Sequence, residues 1–116
     1  MAQDDMHVVM YKILSYLYDC MKRGAAPNIS AIKHDSDLLD IPHEYWVCVM
    51  SEMVDKGLIK GVGVMGLGGN KNVAIDVCMY APQVTFDGVE FLKENSMMRK
   101  AYNFLKDAKT LMPFMS

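Results

Sequence analysis

Residues 58–73 read LIKGVGVMGLGGNKNV, and residues 73–80 continue as VAIDVCMY. Gly61, Gly63 and Gly66 spell G-x-G-x-x-G, the pattern of a dinucleotide-binding turn. In such a turn the first glycine ends a strand, and the third opens a helix whose N-terminus faces a pyrophosphate. Here the order is wrong on both sides. A helical stripe runs into Gly57 before the glycines, and after them Val73, Ile75, Val77 and Met79 alternate with Ala74, Asp76, Cys78 and Tyr80 at a period of two. Asp87 lies 21 residues past Gly66, the offset of a ribose-binding acid, but at a helix start. Lys71 stands between Asn70 and Asn72, so no G-K-(S/T) sequence follows either. The stretch therefore reads as a β-hairpin. Leu58, Ile59, Val62 and Val64 form the first arm and Gly68-Gly69-Asn70 the tip, while the remaining glycines permit a bulge or twist.

Outward from the hairpin, the spacing predicts helices. Met6, Val9, Met10, Ile13, Leu14, Leu17 and Met21 fall on one helical face, with Asp4 or Asp5 placed to cap its start and Gly24 its end. A brief second helix is expected from a Ser30 cap to Asp37, around Ile29 and Ile32. A third begins near Pro42, carries Tyr45, Trp46, Val49, Met50, Met53 and Val54 inward, and stops at Gly57. Beyond the hairpin, Thr85 caps a fourth helix with Val84 and Val89 at staple positions. Asn95 ends that helix, and Ser96 starts a final one that runs to Pro113. The expected class is α+β: a winged helix, with a three-helix core and a hairpin wing over residues 1–84, extended by two C-terminal helices over 85–116.

Composition supports one domain. The 116 residues are 52% hydrophobic and 22% charged, enough for one core without staples. No apolar run approaches the roughly 18 residues of a membrane span, and the N-terminal Asp4-Asp5 does not suit a signal peptide, so a cytoplasmic protein is expected. Cys20, Cys48 and Cys78 form no C-x-x-C pair and read as reduced thiols. The net charge of −2 is unevenly spread. Residues 1–57 hold nine acids against five Lys or Arg, while residues 58–116 hold five against seven. Attraction for nucleic acid is therefore expected from the second half.

The run Thr85-Phe86-Asp87-Gly88-Val89-Glu90-Phe91-Leu92-Lys93-Glu94-Asn95-Ser96, continuing Met97-Met98-Arg99-Lys100-Ala101-Tyr102, resembles the tail of the YjcQ-like proteins, T-x-x-G-x-x-(F/Y)-L-x-E-N-(S/T)-x-x-x-K-A-Y. Met53-Val54-Asp55-Lys56-Gly57-Leu58-Ile59 is similar to that family's helix-to-strand junction, an ending common to winged helices generally. The resemblance covers the third helix to the C-terminus. It implies a small winged-helix protein of low-GC Gram-positive bacteria or their phages, with no assigned catalytic residue. The chain departs from the family pattern in the long segment from Gly24 to Ile41 and in its acidic third-helix start.

Two functions stay open. The hairpin tip offers Lys60, Asn70, Lys71 and Asn72 for a weak, backbone-directed DNA contact. The helix that would read a groove is acidic instead: with its stripe inward, Glu44, Val47, Cys48, Ser51, Glu52 and Asp55 face out, and no Lys or Arg precedes Lys56. Val47 and Cys48, with Met98, Leu111, Met112 and Phe114 at the ends of the last helix, suit a protein contact, most simply a homodimer. His34, Asp35, Asp37, His43 and Glu44 match no recurrent ligand spacing, so no metal is expected. No cofactor, small-molecule substrate or catalytic set is expected either, and the chain reads as non-enzymatic.

Overall fold

The computed structural model describes residues 5–67 and 70–94, and of residues 67 and 70–73 it describes the backbone alone. Helix α1 spans Met6–Arg23, a single 3-10 turn Ile29–Ile32, helix α2 His43–Asp55, strand β1 Ile59–Leu67, strand β2 Asn70–Val84 and helix α3 Phe86–Glu94. Over the described residues this is a mixed α+β architecture of three α-helices and one two-stranded antiparallel hairpin, compatible with a winged helix. The final helix expected from Ser96 lies outside the described residues.

Helix α1 is the centre of the molecule. Of its expected stripe, Val9, Met10, Ile13, Leu14 and Leu17 are buried, Met6 is half-buried and Met21, in the last turn, is exposed, while Val8, Tyr11, Lys12, Tyr16 and Cys20 are buried as well. Burial runs round the helix because α2 and β2 pack against it, and α3 as well. Gly24, at φ +67°, ends α1: its N–H donates to the Met21 carbonyl at 3.1 Å and that of Ala25 to Cys20 at 2.9 Å. Gly57, at φ +70°, repeats the device after α2, with its N–H on Val54 at 3.0 Å and that of Leu58 on Met53 at 2.9 Å. Both are Schellman closures, which need a residue free to adopt left-handed backbone. Asp5 occupies the α1 cap position without a side-chain cap bond.

Between α1 and α2 the second helix is shorter than expected. The 3-10 turn ends at Ile32, and Asn28 rather than Ser30 caps it, its Oδ1 accepting from the Ser30 N–H at 3.1 Å. Residues 33–41 form turns instead: Ser36 Oγ accepts from the Leu39 N–H at 3.3 Å, Asp40 takes left-handed backbone at φ +47°, and the Ile41 N–H donates to the His34 carbonyl at 2.9 Å. These turns fold Leu38, Leu39 and Ile41 into the core and leave Asp35, Asp37 and Asp40 exposed.

The hairpin is irregular by design of its sequence. β2 has 15 residues and β1 nine. The surplus of six is absorbed in three slips of register: Gly61 faces Tyr80, Ala81 and Pro82; Ile75 is unmatched between Asp76 and Ala74; and 71–73 are unmatched between Ala74 and Asn70. Gly61 takes φ +75°, and a Cβ there would overlap the Ala81 carbonyl. Glycine lets β1 press directly on the opposing peptide, and Pro82, which has no N–H, falls where the ladder is already interrupted. Past β2, Thr85 Oγ1 accepts from the Gly88 N–H at 3.1 Å and donates to the Gly57 carbonyl, so one hydroxyl caps α3 and pins it to the end of α2.

Candidate interaction surface

Gly61, Gly63 and Gly66 all lie inside β1, and a strand rather than a helix follows them. The stretch presents no helix N-terminus to a phosphate. Its two faces differ in what they carry. On the inner face Val62, Val77 and Met79 join the core, with Ile59 and Val84 buried at the hairpin base. Across the other face Gly63 pairs with Cys78, and the Tyr80 ring lies over Gly63, where a Cβ would sit 3.1 Å from Tyr80 Cε2. Tyr80 is nevertheless 73% exposed and Met65 43%.

Ile75 is the exception to the alternation. Period two groups it with Val77 and Met79 on the inner face, yet it is 51% exposed while Ala74 packs against the core. Ile75, unmatched on β2 opposite the step from Met65 to Gly66, reverses the phase of the strand from that point on. The hairpin thus presents Met65, Ile75 and Tyr80 to solvent, an apolar set that no single stretch of the sequence advertises.

Of the residues expected to touch nucleic acid, Lys60 is exposed near the hairpin base, opposite Gln83. Asn70, Lys71 and Asn72 lie on β2 toward the tip, where the described residues include their backbone only. Lys60 and Lys71 therefore occupy opposite ends of the hairpin.

On α2, Glu44, Cys48, Glu52 and Asp55 are exposed as expected, and Ser51 is half-buried. Val47 is a correction: expected on the outer face, it is 3% exposed and part of the core. The buried arc of α2 spans Trp46, Val47, Val49, Met50 and Met53, in the same core cluster that Leu38, Leu39 and Ile41 join from the preceding segment. A contact built on Val47 is excluded, which leaves Cys48 among carboxylates. Met98, Leu111, Met112 and Phe114 lie outside the described residues.

One polar junction joins these surfaces. His43, the first residue of α2, has Nε2 3.2 Å from Asp76 Oδ1 on β2, and the same oxygen accepts from the Val77 N–H at 2.8 Å. The Val77 N–H first, then His43, hold the Asp76 carboxyl below its usual range. The His34 ring stands edge-on to that of His43 at 5.1 Å, and both lie beside Trp46, whose Nε1–H donates to the Ile32 carbonyl at 2.9 Å. His34 and His43 stand near each other in the sequence, but the contact of His43 with Asp76, 33 residues away, has no sequence signal. Among the described residues no group of three or more His, Cys, Asp or Glu is arranged to hold a metal ion, and no helix is long and apolar enough to cross a membrane.

No curated protein and no solved structure matches the chain. The resemblance carried by residues 85–102 extends much further: the family model described as YjcQ protein matches residues 11–111, from the first turns of α1 through the hairpin and beyond α3, and the chain belongs to that family.

Proposed function

We propose that the protein is a non-enzymatic winged-helix module that works by contacting another protein, most simply a second copy of itself, through the outer face of its hairpin wing. The observation that carries this reading is the contrast between two surfaces. The wing exposes Met65, Ile75 and Tyr80, whereas α2, the helix that in a DNA-reading winged helix enters the major groove, exposes Glu44, Glu52 and Asp55. Carboxylates on that face repel phosphates, and the neighbouring turns add Asp35, Asp37 and Asp40. Exposed apolar side chains carried on one hairpin are what an interface core uses. An enzymatic role finds less support: the His43–Asp76 pair has no Ser or Cys bonded to the imidazole among the described residues.

The second reading is a backbone-directed DNA contact by the wing, favoured by exposed Lys60 at its base. One set of measurements separates them. Sedimentation of the full chain should show self-association that Tyr80→Ser with Met65→Ser weakens, while binding to a random duplex at low salt stays absent. A monomer at high concentration removes the self-association reading. Salt-dependent duplex binding lost in Lys60→Ala with Lys71→Ala would establish the DNA reading in its place.

A further inference from the structure

Two registers are open to the upper half of the wing. Period two groups Ile75 with Val77 and Met79, and an unbroken ladder past Met65 and Asp76 would set Ile75 opposite Gly66 and Ala74 opposite Leu67. In the structure Gly66 faces Ala74 instead. Ile75 is unmatched and 51% exposed, while the smaller Ala74 holds the place against the core. Little on β1 decides between the two pairings, because Gly66 has no side chain to prefer one partner, and glycine-rich strands specify register weakly. The tip supplies slack, since residues 71–73 are already unmatched between Ala74 and Asn70.

Below Ile75 the strand is fixed. Asp76 stays opposite Met65, its Oδ1 accepts from the Val77 N–H at 2.8 Å and lies 3.2 Å from His43 Nε2 on α2, and Val77 is buried. A one-residue shift therefore stops at Asp76. Opposed effects balance it. The unbroken register takes the isoleucine side chain out of water and restores ladder pairing that a bulge forgoes, but the larger side chain must find room where Ala74 now packs.

We propose that the wing carries a register switch: the bulge at Ile75 moves toward the tip, so that Ile75 turns inward beside Val77 as Ala74 turns outward. Of the exposed apolar set, Met65 and Tyr80 then stay in water while Ile75 withdraws. The consequence for binding rests on the interaction reading above, since a partner that buries Ile75 selects the bulged register. The switch itself belongs to the free chain.

The test is NMR of the full chain at a dilution where it is monomeric. Relaxation dispersion should find microsecond-to-millisecond exchange at the amides of Gly66, Ala74 and Ile75 and none at Val77. Ala74→Lys sets a charge on the core side of the bulged register and should favour the straight one by roughly tenfold or more, moving the cross-strand contacts of Gly66 from residue 74 to Ile75. Ile75→Lys, whose charge the straight register would bury, should abolish the exchange and keep Ala74 opposite Gly66. The switch is overturned by wild-type amides without exchange, by exchange that persists in Ile75→Lys, or by an Ala74→Lys hairpin that keeps residue 74 opposite Gly66 or loses all pairing above Asp76. Sedimentation reads the interaction separately: Ala74→Lys should self-associate more weakly than wild type although Met65 and Tyr80 are untouched. A wild type that stays monomeric at high concentration removes the interaction reading and leaves the register result standing.

Discussion

Gly61→Ala tests the hairpin geometry most directly, because its effect divides into two parts that another glycine separates. At φ +75° an alanine occupies left-handed backbone, which disfavours it by about 1–2 kcal/mol. Its Cβ would also overlap the Ala81 carbonyl oxygen and lie 2.6 Å from the carbonyl carbon, so the two strands must part. Forced rearrangement of that kind costs about 1–3 kcal/mol. The total, about 2–5 kcal/mol, is a large share of the roughly 5–15 kcal/mol that holds a domain folded. Gly57 is the control: its φ is +70°, but a Cβ there has nothing within 4 Å, so Gly57→Ala carries the backbone part alone. Urea unfolding followed by circular dichroism gives both values. With a slope of about 1–3 kcal/mol per molar, a difference of 2 kcal/mol separates the two midpoints by roughly 1 M. Equal midpoints would refute the account of Gly61 as a contact position and leave only its dihedral angle.

Gly88→Ala should also destabilise, by about 1–3 kcal/mol, although a helical Gly→Ala change ordinarily gains about 0.5–1 kcal/mol: the new Cβ would overlap the Leu58 carbonyl and lie 2.5 Å from Val84 Cγ2. A rise in melting temperature would show that α3 can shift off the strands. Thr85→Ala should lose about 1–2 kcal/mol, since one hydroxyl serves both the Gly88 N–H and the Gly57 carbonyl, and Thr85→Ser should recover most of it in the same melting experiment. Burial pushes the Tyr16 phenol above its ordinary value of 10.0, although its oxygen accepts the Asn28 N–H at 2.7 Å. A raised folded-state pKa contributes stability that is complete below the unfolded value and is lost as pH rises through the folded one. Urea midpoints should therefore fall above about pH 10, and in Tyr16→Phe that alkaline fall should shrink although the variant starts less stable at neutral pH.

The parts of the fold that were legible in advance are those governed by neighbours in the chain. The stripe of α1, the core residues Trp46, Val49, Met50 and Met53 of α2, the glycine closures at Gly24 and Gly57, and the Thr85 cap depend on spacings of three to seven residues. The hairpin was legible too, because alternation on both sides of a glycine-rich turn leaves a dinucleotide site no helix to open. Burial that depends on distant segments is different. Val47 sits on the polar side of a helical projection but is buried in the core, which Leu38, Leu39 and Ile41 also join from a segment with no helical period of its own.

Amino-acid order alone determined the two long helices before the hairpin, the hairpin itself and the helix that Thr85 caps, though not the short 3-10 turn in place of a second helix, and it determined that the exposed face of α2 would be acidic, since charge is a property of the residues themselves. Only the tertiary structure decided which apolar side chains remain in water. A slip at Ile75 reverses one strand's phase, Gly63 leaves room for Tyr80 to lie across β1, and the packing of α2 against β2 brings His43 to Asp76. Each of these depends on register and on contacts between residues far apart in the chain, where local periodicity carries no information.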